Sequence, residues 1–175
     1  IKEPMEKDLL KKPPRNPDER ITDSPFFKKV GLVSILMAIA GFVVYYYYGI
    51  GAIDVVDPTL REIMIRRAQT AAFTTVVLLH LCYVITARSI TESAFTFNPF
   101  SNRWLLAGIA ITILTQLAIV YAPPYIGINP LRTAPLPLDW WWLMILFALP
   151  GFFVIEIEKY LTKRFGRKGS QGYGI

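Results

Sequence analysis

The chain has 175 residues, of which 53% are hydrophobic and 18% charged, where a soluble domain carries roughly 25% charged residues. One Cys and one His exclude a disulfide scaffold and a Cys/His metal centre. The formal charge is +6, from 19 Lys+Arg against 13 Asp+Glu, and uncharged apolar runs between the basic blocks exclude a disordered chain.

The chain opens at Ile1, in polar material without an initiating Met, as a piece cut from something longer would. Residues 1–29 carry eight basic residues and Pro4, Pro13, Pro14, Pro17 and Pro25. Proline disfavours helix just before it, so this segment is predicted to be an extended basic loop. Residues 30–53 follow, 24 positions without a charge. A second apolar run covers residues 68–87 and contains His80, Cys82 and Tyr83. Loop 91–102 carries the turn signal Asn98-Pro99, and Ser101 or Asn102 is placed to cap the next helix. A third run occupies residues 104–122. The loop at 123–137 holds Pro123, Pro124, Pro130, Pro135 and Pro137 and is expected to be ordered but irregular. The fourth span is predicted at 138–160, and the Gly-rich residues 166–175 as a flexible tail.

About 20 helical residues at about 1.5 Å each cross a hydrocarbon layer of about 30 Å. The four runs therefore predict an all-α membrane protein, with a four-transmembrane-helix bundle at residues 30–165. Barrel strands would alternate polar and apolar residues, which these runs do not. Close helix approach is open to Ala38, Gly41, Ala107 and Ala110, although small residues are common in spans without such a role. Of the 19 Lys and Arg, 15 fall on the side of the two termini and four (Arg61, Arg66, Arg67 and Arg132) on the other. The positive-inside rule then puts both termini in the cytosol. Arg66 and Arg67 are the exception, with Asp54, Asp57 and Glu62 at hand as partners. Tyr45–Tyr48, Tyr121 and Trp140–Trp142 mark the outer interface, and Trp104 the inner one.

Few residues offer chemistry. No nucleotide-binding glycine motif or Asp-x-Asp cluster occurs, and no Ser or Cys nucleophile has a matching base. The basic excess follows topology, so nucleic acid is not expected as a partner. Inside the spans lie His80, Gln116 with Thr112 and Thr115, and Thr70, Thr74 and Thr75. Intramembrane ionisable groups are costly and often functional, which singles out His80. Gln116 and the threonines suit hydrogen bonds between helices. Glu156 and Lys159, three apart, form a candidate interfacial ion pair. On residues alone the chain fits a transporter module, a scaffold or assembly subunit, or a small membrane enzyme.

Five segments, in order, resemble one family. LKKPPRNP at 10–17 is similar to the cytosolic loop after the sixth membrane helix of type II P-type ATPases. NPFSNRWLL at 98–106 and QLAIVYAPP at 116–124 resemble the two ends of the ninth helix in calcium-pump-like members. TAPLPLDWW at 133–141 and LPGFFVIEIEKYL at 149–161 resemble the entrance and end of the tenth. The resemblance implies that the four spans are the seventh to tenth helices of a ten-helix cation pump, the static support beside its moving helices. It also implies a prokaryotic plasma membrane, and the pump's other helices and cytosolic domains as partners alongside the lipid bilayer. The D-K-T-G-T and T-G-E-S motifs of the family are absent. No catalytic or cofactor-binding residue is therefore expected here, and ATP and Mg belong only to the full-length parent. Lys11, Lys12 and Arg15 fall in the loop that docks near the phosphorylation domain. His80, two residues before Cys82, aligns with a calcium-ligating Glu of the eighth helix. Imidazole is a poor calcium ligand, so His80 is expected to border a cation site rather than to complete one.

Overall fold

The computed structural model describes residues 24–87 and 102–169. Among them there is no strand. The elements are α1 (Ser24–Gly49), a 3-10 turn (Ile50–Ala52), α2 (Pro58–Ala87), α3 (Arg103–Tyr121), the short α4 (Pro123–Ile126) and α5 (Trp140–Gly169). The four long helices are each long and apolar enough to cross a membrane.

The helices outrun the apolar stretches at several ends, and the reasons are local. α1 starts at Ser24, so residues 24–29 are helical rather than extended. Pro25 sits in its first turn, where a missing N–H costs nothing. α2 starts ten residues before its apolar run. Asp57 Oδ1 accepts from the Thr59 N–H at 2.9 Å, and Pro58 opens the helix. Arg66 then pairs with Glu62 one turn back. The partner expected for the Arg66–Arg67 pair is thus found for Arg66; Arg67 instead has its Nε buried without a hydrogen bond. At α3 the cap is Asn102, whose Oδ1 accepts from Trp104 N at 3.0 Å and Leu105 N at 3.1 Å. α5 continues to Gly169, so residues 166–169 are helical and not part of a flexible tail. Leu161, Lys163, Arg164, Arg167 and Lys168 are all good helix formers, and hydropathy does not register them. The loop after α3 is less irregular than expected, since α4 adds one turn ended by Gly127 at φ 69°.

Contacts fix the relative directions. Gly49 of α1 faces Ala68 of α2, and Gly41 faces Val76, so α1 and α2 run antiparallel. Lys29 of α1 pairs with Glu158 of α5 at 3.6 Å, whereas Tyr48 stacks on Trp140 with centroids 3.8 Å apart. α1 and α5 are therefore antiparallel too. α3 meets the middle of α2 through Gln116 and Thr74, and the start of α5 through Tyr121 and Trp141. Successive long helices thus alternate in direction, as four crossings of one membrane require.

The core has two parts. Val44, Ala71, Val120, Leu136 and Met144 gather all four long helices and the α4–α5 loop at the aromatic end of the bundle. Ala40, Leu79 and Ala148 join α1, α2 and α5 further along, without α3. Of the small residues weighed for close approach, Gly41 lies at a helix contact, while Ala38, Ala107 and Ala110 are exposed. The tightest approach is at Gly151, where a Cβ would stand 2.8 Å from Leu79 Cγ and Cδ2. Leu79 is 1% exposed and has nowhere to move. Gly151→Ala is expected to destabilise by about 1–3 kcal/mol through overpacking. Gly108→Ala meets nothing within 4 Å and is expected to be neutral or to stabilise by up to about 1 kcal/mol. Thermal unfolding of the two variants in detergent checks the contrast.

Candidate functional site

The polar groups of the bundle concentrate at its aromatic end. Thr70, Thr74 and Thr75 of α2 each donate to the carbonyl four residues back, at 2.8, 2.7 and 2.8 Å. That satisfies their hydroxyl protons inside the helix and leaves each oxygen free to accept. Two of them do so. Gln116 Nε2 of α3 donates to Thr74 Oγ1 at 2.9 Å, and the Ala134 N–H donates to Thr70 Oγ1 at 3.0 Å. Gln116 is 5% exposed and Thr74 fully buried. Burial without partners would cost these groups more than the bonds themselves contribute.

The loop between α4 and α5 completes this fastening. Asn129 Nδ2 donates to the Thr133 carbonyl at 2.7 Å, and its Oδ1 accepts from Thr133 N at 2.9 Å. The Thr133 hydroxyl donates to the Ile119 carbonyl of α3 at 2.6 Å. Tyr121 Oη donates to the Leu136 carbonyl at 2.9 Å and accepts from Trp141 Nε1 at 2.8 Å. Tyr48 Oη donates to the Trp140 carbonyl at 3.3 Å. One loop and two aromatic pairs thereby connect α1, α2, α3 and α5. The composition of the loop signalled turns, but nothing in its spacing pointed to Thr133 or Asn129.

Of the singled-out residues, Gln116 and Thr74 meet, while His80 stands apart from them. His80 is exposed on the surface of the four-helix body, with the Tyr83 ring centroid 6.1 Å away. At 100° per residue it shares one face of α2 with Gln69 and Phe73, which are also exposed. Gln116 lies on another side of α2, in the core. Glu156 is 9% exposed, and the side chain of Lys159 is outside the described residues. An ion pair described at that end of the bundle is Lys29 with Glu158, which joins α1 to α5. Lys11, Lys12, Arg15 and the Asn98-Pro99 turn lie outside the described residues. Among the described residues, no three His, Cys, Asp or Glu side chains are grouped to hold a metal ion.

Residues 1–161 match the family model described as "Cation transporting ATPase, C-terminus". The chain belongs to the cation-transporting P-type ATPases, as their C-terminal membrane domain. It is 28% identical over 165 residues to the "Probable cation-transporting ATPase F" of Mycobacterium bovis, a match covering 92% of this chain and 16% of that protein. It is 31% identical over 157 residues to a "Calcium-transporting ATPase" of Bacillus subtilis, covering 84% of this chain and 15% of that protein. Mouse "Calcium-transporting ATPase type 2C member 2" is 32% identical over 122 residues, 70% of this chain and 12% of its own length. The chain thus spans about a sixth of the length of its bacterial relatives. Membership and the four apolar helices together make this a multi-pass integral membrane protein.

A double-mutant cycle tests the buried bridge between α2 and α3. Thr74→Val and Gln116→Leu should couple by about 0.5–2 kcal/mol in chemical unfolding of the protein in detergent. Additive effects would show that packing, not the hydrogen bond, holds the two helices there.

Proposed function

We propose that the chain is the membrane support of an ATP-driven cation pump of the calcium-transporting branch, and that it borders the cation path without completing it. The observation that carries this reading is the match of residues 1–161 to the C-terminal portion of cation-transporting ATPases. The calcium-transporting names of the Bacillus and mouse relatives favour calcium as the cargo. Bacterial relatives matching over 92% of the chain favour a prokaryotic plasma membrane.

The support role rests on how polar groups are distributed. Each side chain of the fastening network is engaged with another helix, its own backbone or the α4–α5 loop, which favours a structural role for them over cargo binding. His80 is the exception. It sits inside the apolar run of α2, on the exterior of this body. A polar ring against hydrocarbon is costly, so we assign the stretch of α2 bearing Phe73 and His80, deeper in the span, to the pump's remaining helices rather than to lipid. His80 then borders the cation site through a water or a neighbouring carboxylate. The 15-to-4 division of basic residues supports both termini in the cytosol. Lys11, Lys12 and Arg15 then lie beside the phosphorylation domain, and Glu156 and Lys159 at the cytosolic interface.

The test is calcium-dependent phosphorylation of the full-length pump. His80→Glu supplies an oxygen ligand and is expected to shift half-maximal calcium by about tenfold, equivalent to ~1.4 kcal/mol. His80→Leu is expected to move it less. Identical calcium curves for wild type and both variants would remove His80 from the site. A full-length protein that forms no phosphoenzyme with any cation would overturn the pump reading itself.

A further inference from the structure

From the arginines left unbalanced at the aromatic end of the bundle, we infer a binding site for the phosphate of an anionic membrane lipid. It rests on the reading of α2 as a membrane span, not on the transport reading. A groove of about 410 Å³ lies there, lined by Arg61, Glu62, Arg66 and Gln69 of α2, by Arg132 of the α4–α5 loop, and by Val56. Arg66 is matched by Glu62. Arg61 and Arg132 have no carboxylate partner among the described residues. The groove therefore holds two uncompensated guanidiniums, whose planar forks suit phosphate oxygens.

Arg132 is held there at a conformational cost. Its φ of 52° is in the left-handed region, the only such value at a non-glycine among the described residues. The hydrogen bonds of Asn129 and Thr133 on either side hold the turn in this form. A turn needing only its shape would use Gly or Asn. An arginine there points to a use for the guanidinium.

Depth selects the source of the phosphate. The apolar run of α2 starts at Ala68. Arg66 is about 3 Å beyond it along the axis and Arg61 about 10 Å. The headgroup layer extends about 5–8 Å past the hydrocarbon, so Arg66 lies within it and Arg61 just past its outer margin, within reach of it through a long side chain. Its surroundings are apolar and exposed: Val56 is 94% exposed, Ile53 67% and Leu131 57%. Such side chains are unfavourable in water but at home at the acyl boundary beside a headgroup, with arginines reaching outward. A free phosphate ion would need the guanidiniums but gain nothing from that apolar rim.

The experiment is native mass spectrometry of the intact protein carrying this chain, in neutral detergent, titrated with phosphatidylglycerol. The other arms use a phosphate-free glycolipid and inorganic phosphate. The wild type should retain phosphatidylglycerol and not the glycolipid. Arg61→Gln and Arg132→Gln should each weaken retention by about tenfold, as loss of one charge-assisted hydrogen bond does. Arg103→Gln, at the opposite end of α3, should leave it unchanged. Arg132→Gly removes the guanidinium while keeping a residue suited to the turn, and should behave as Arg132→Gln. Equal phosphatidylglycerol retention in wild type and all groove variants would overturn the proposal and leave these arginines to an acidic segment elsewhere in the protein. Displacement of the lipid by millimolar inorganic phosphate would likewise overturn it, assigning the groove to a free anion.

Discussion

The hydroxyl of Thr133 donates to the Ile119 carbonyl at the end of α3, while the neighbouring Ala134 N–H donates to Thr70 on α2. Much of the bundle depends on this pair of bonds. In a bilayer the hydrophobic effect does not drive helices together, because lipid tails are as apolar as the side chains they would replace. Packing and polar bridges must do so. α1, α2 and α5 have both kinds of support, with a second apolar cluster along their length and the Lys29–Glu158 pair at the far end. α3 buries only Gln116 and Val120, both in its last six residues. Most of its other apolar side chains are exposed or half-buried, with Trp104 72% and Leu114 66% exposed. It is held to the body near one end, by the α4–α5 loop together with the Gln116–Thr74 and Tyr121–Trp141 bonds.

That asymmetry is consistent with the proposed support role. Three helices form a rigid frame, and the fourth is positioned by a turn whose own geometry is locked by Asn129. The exposed faces of α1 and α3 are mostly apolar, interrupted within the spans by the small hydroxyl residues Ser34, Thr112 and Thr115. The exposed face of α2 is not wholly apolar, since it carries Gln69 and His80. A frame that is mostly apolar outside, with an imidazole exposed within the apolar run of α2, fits the setting proposed above, in which lipid meets most of its circumference and other helices meet the His80 face.

The fold was legible in the sequence because hydrocarbon thickness sets a length that four runs meet. The ends of the helices were less legible, since a hydropathy window reports where the chain is apolar and not where it is helical. Asp57 with Pro58 is a start signal ten residues ahead of the apolar run, and Ser24 with Pro25 is another. Both are readable by capping rules rather than by hydropathy. Gln116 was identified from its polarity, but its partner Thr74, 42 residues earlier, could not be chosen over Thr70 or Thr75 without the helix rotation. Thr133 and Asn129 were hidden because a loop's composition says that it turns, not what it grips. His80 stood out as the single mid-span imidazole; which side of α2 it occupies came from the packing of α1, α3 and α5 around the other sides.

The α4–α5 loop and the bonds around it, and not contact along its length, position α3. Pulsed electron spin resonance measures this directly, with spin labels at the exposed positions 104 on α3 and 153 on α5 and with Cys82 replaced by Ser. The account predicts a single narrow distance distribution in the parent. It predicts a clearly broadened one when Thr133→Val removes the bond to Ile119, because the free end of α3 would then swing. An unchanged distribution in Thr133→Val, with the protein still folded, would contradict the claim and show that α3 is held by contacts along its length.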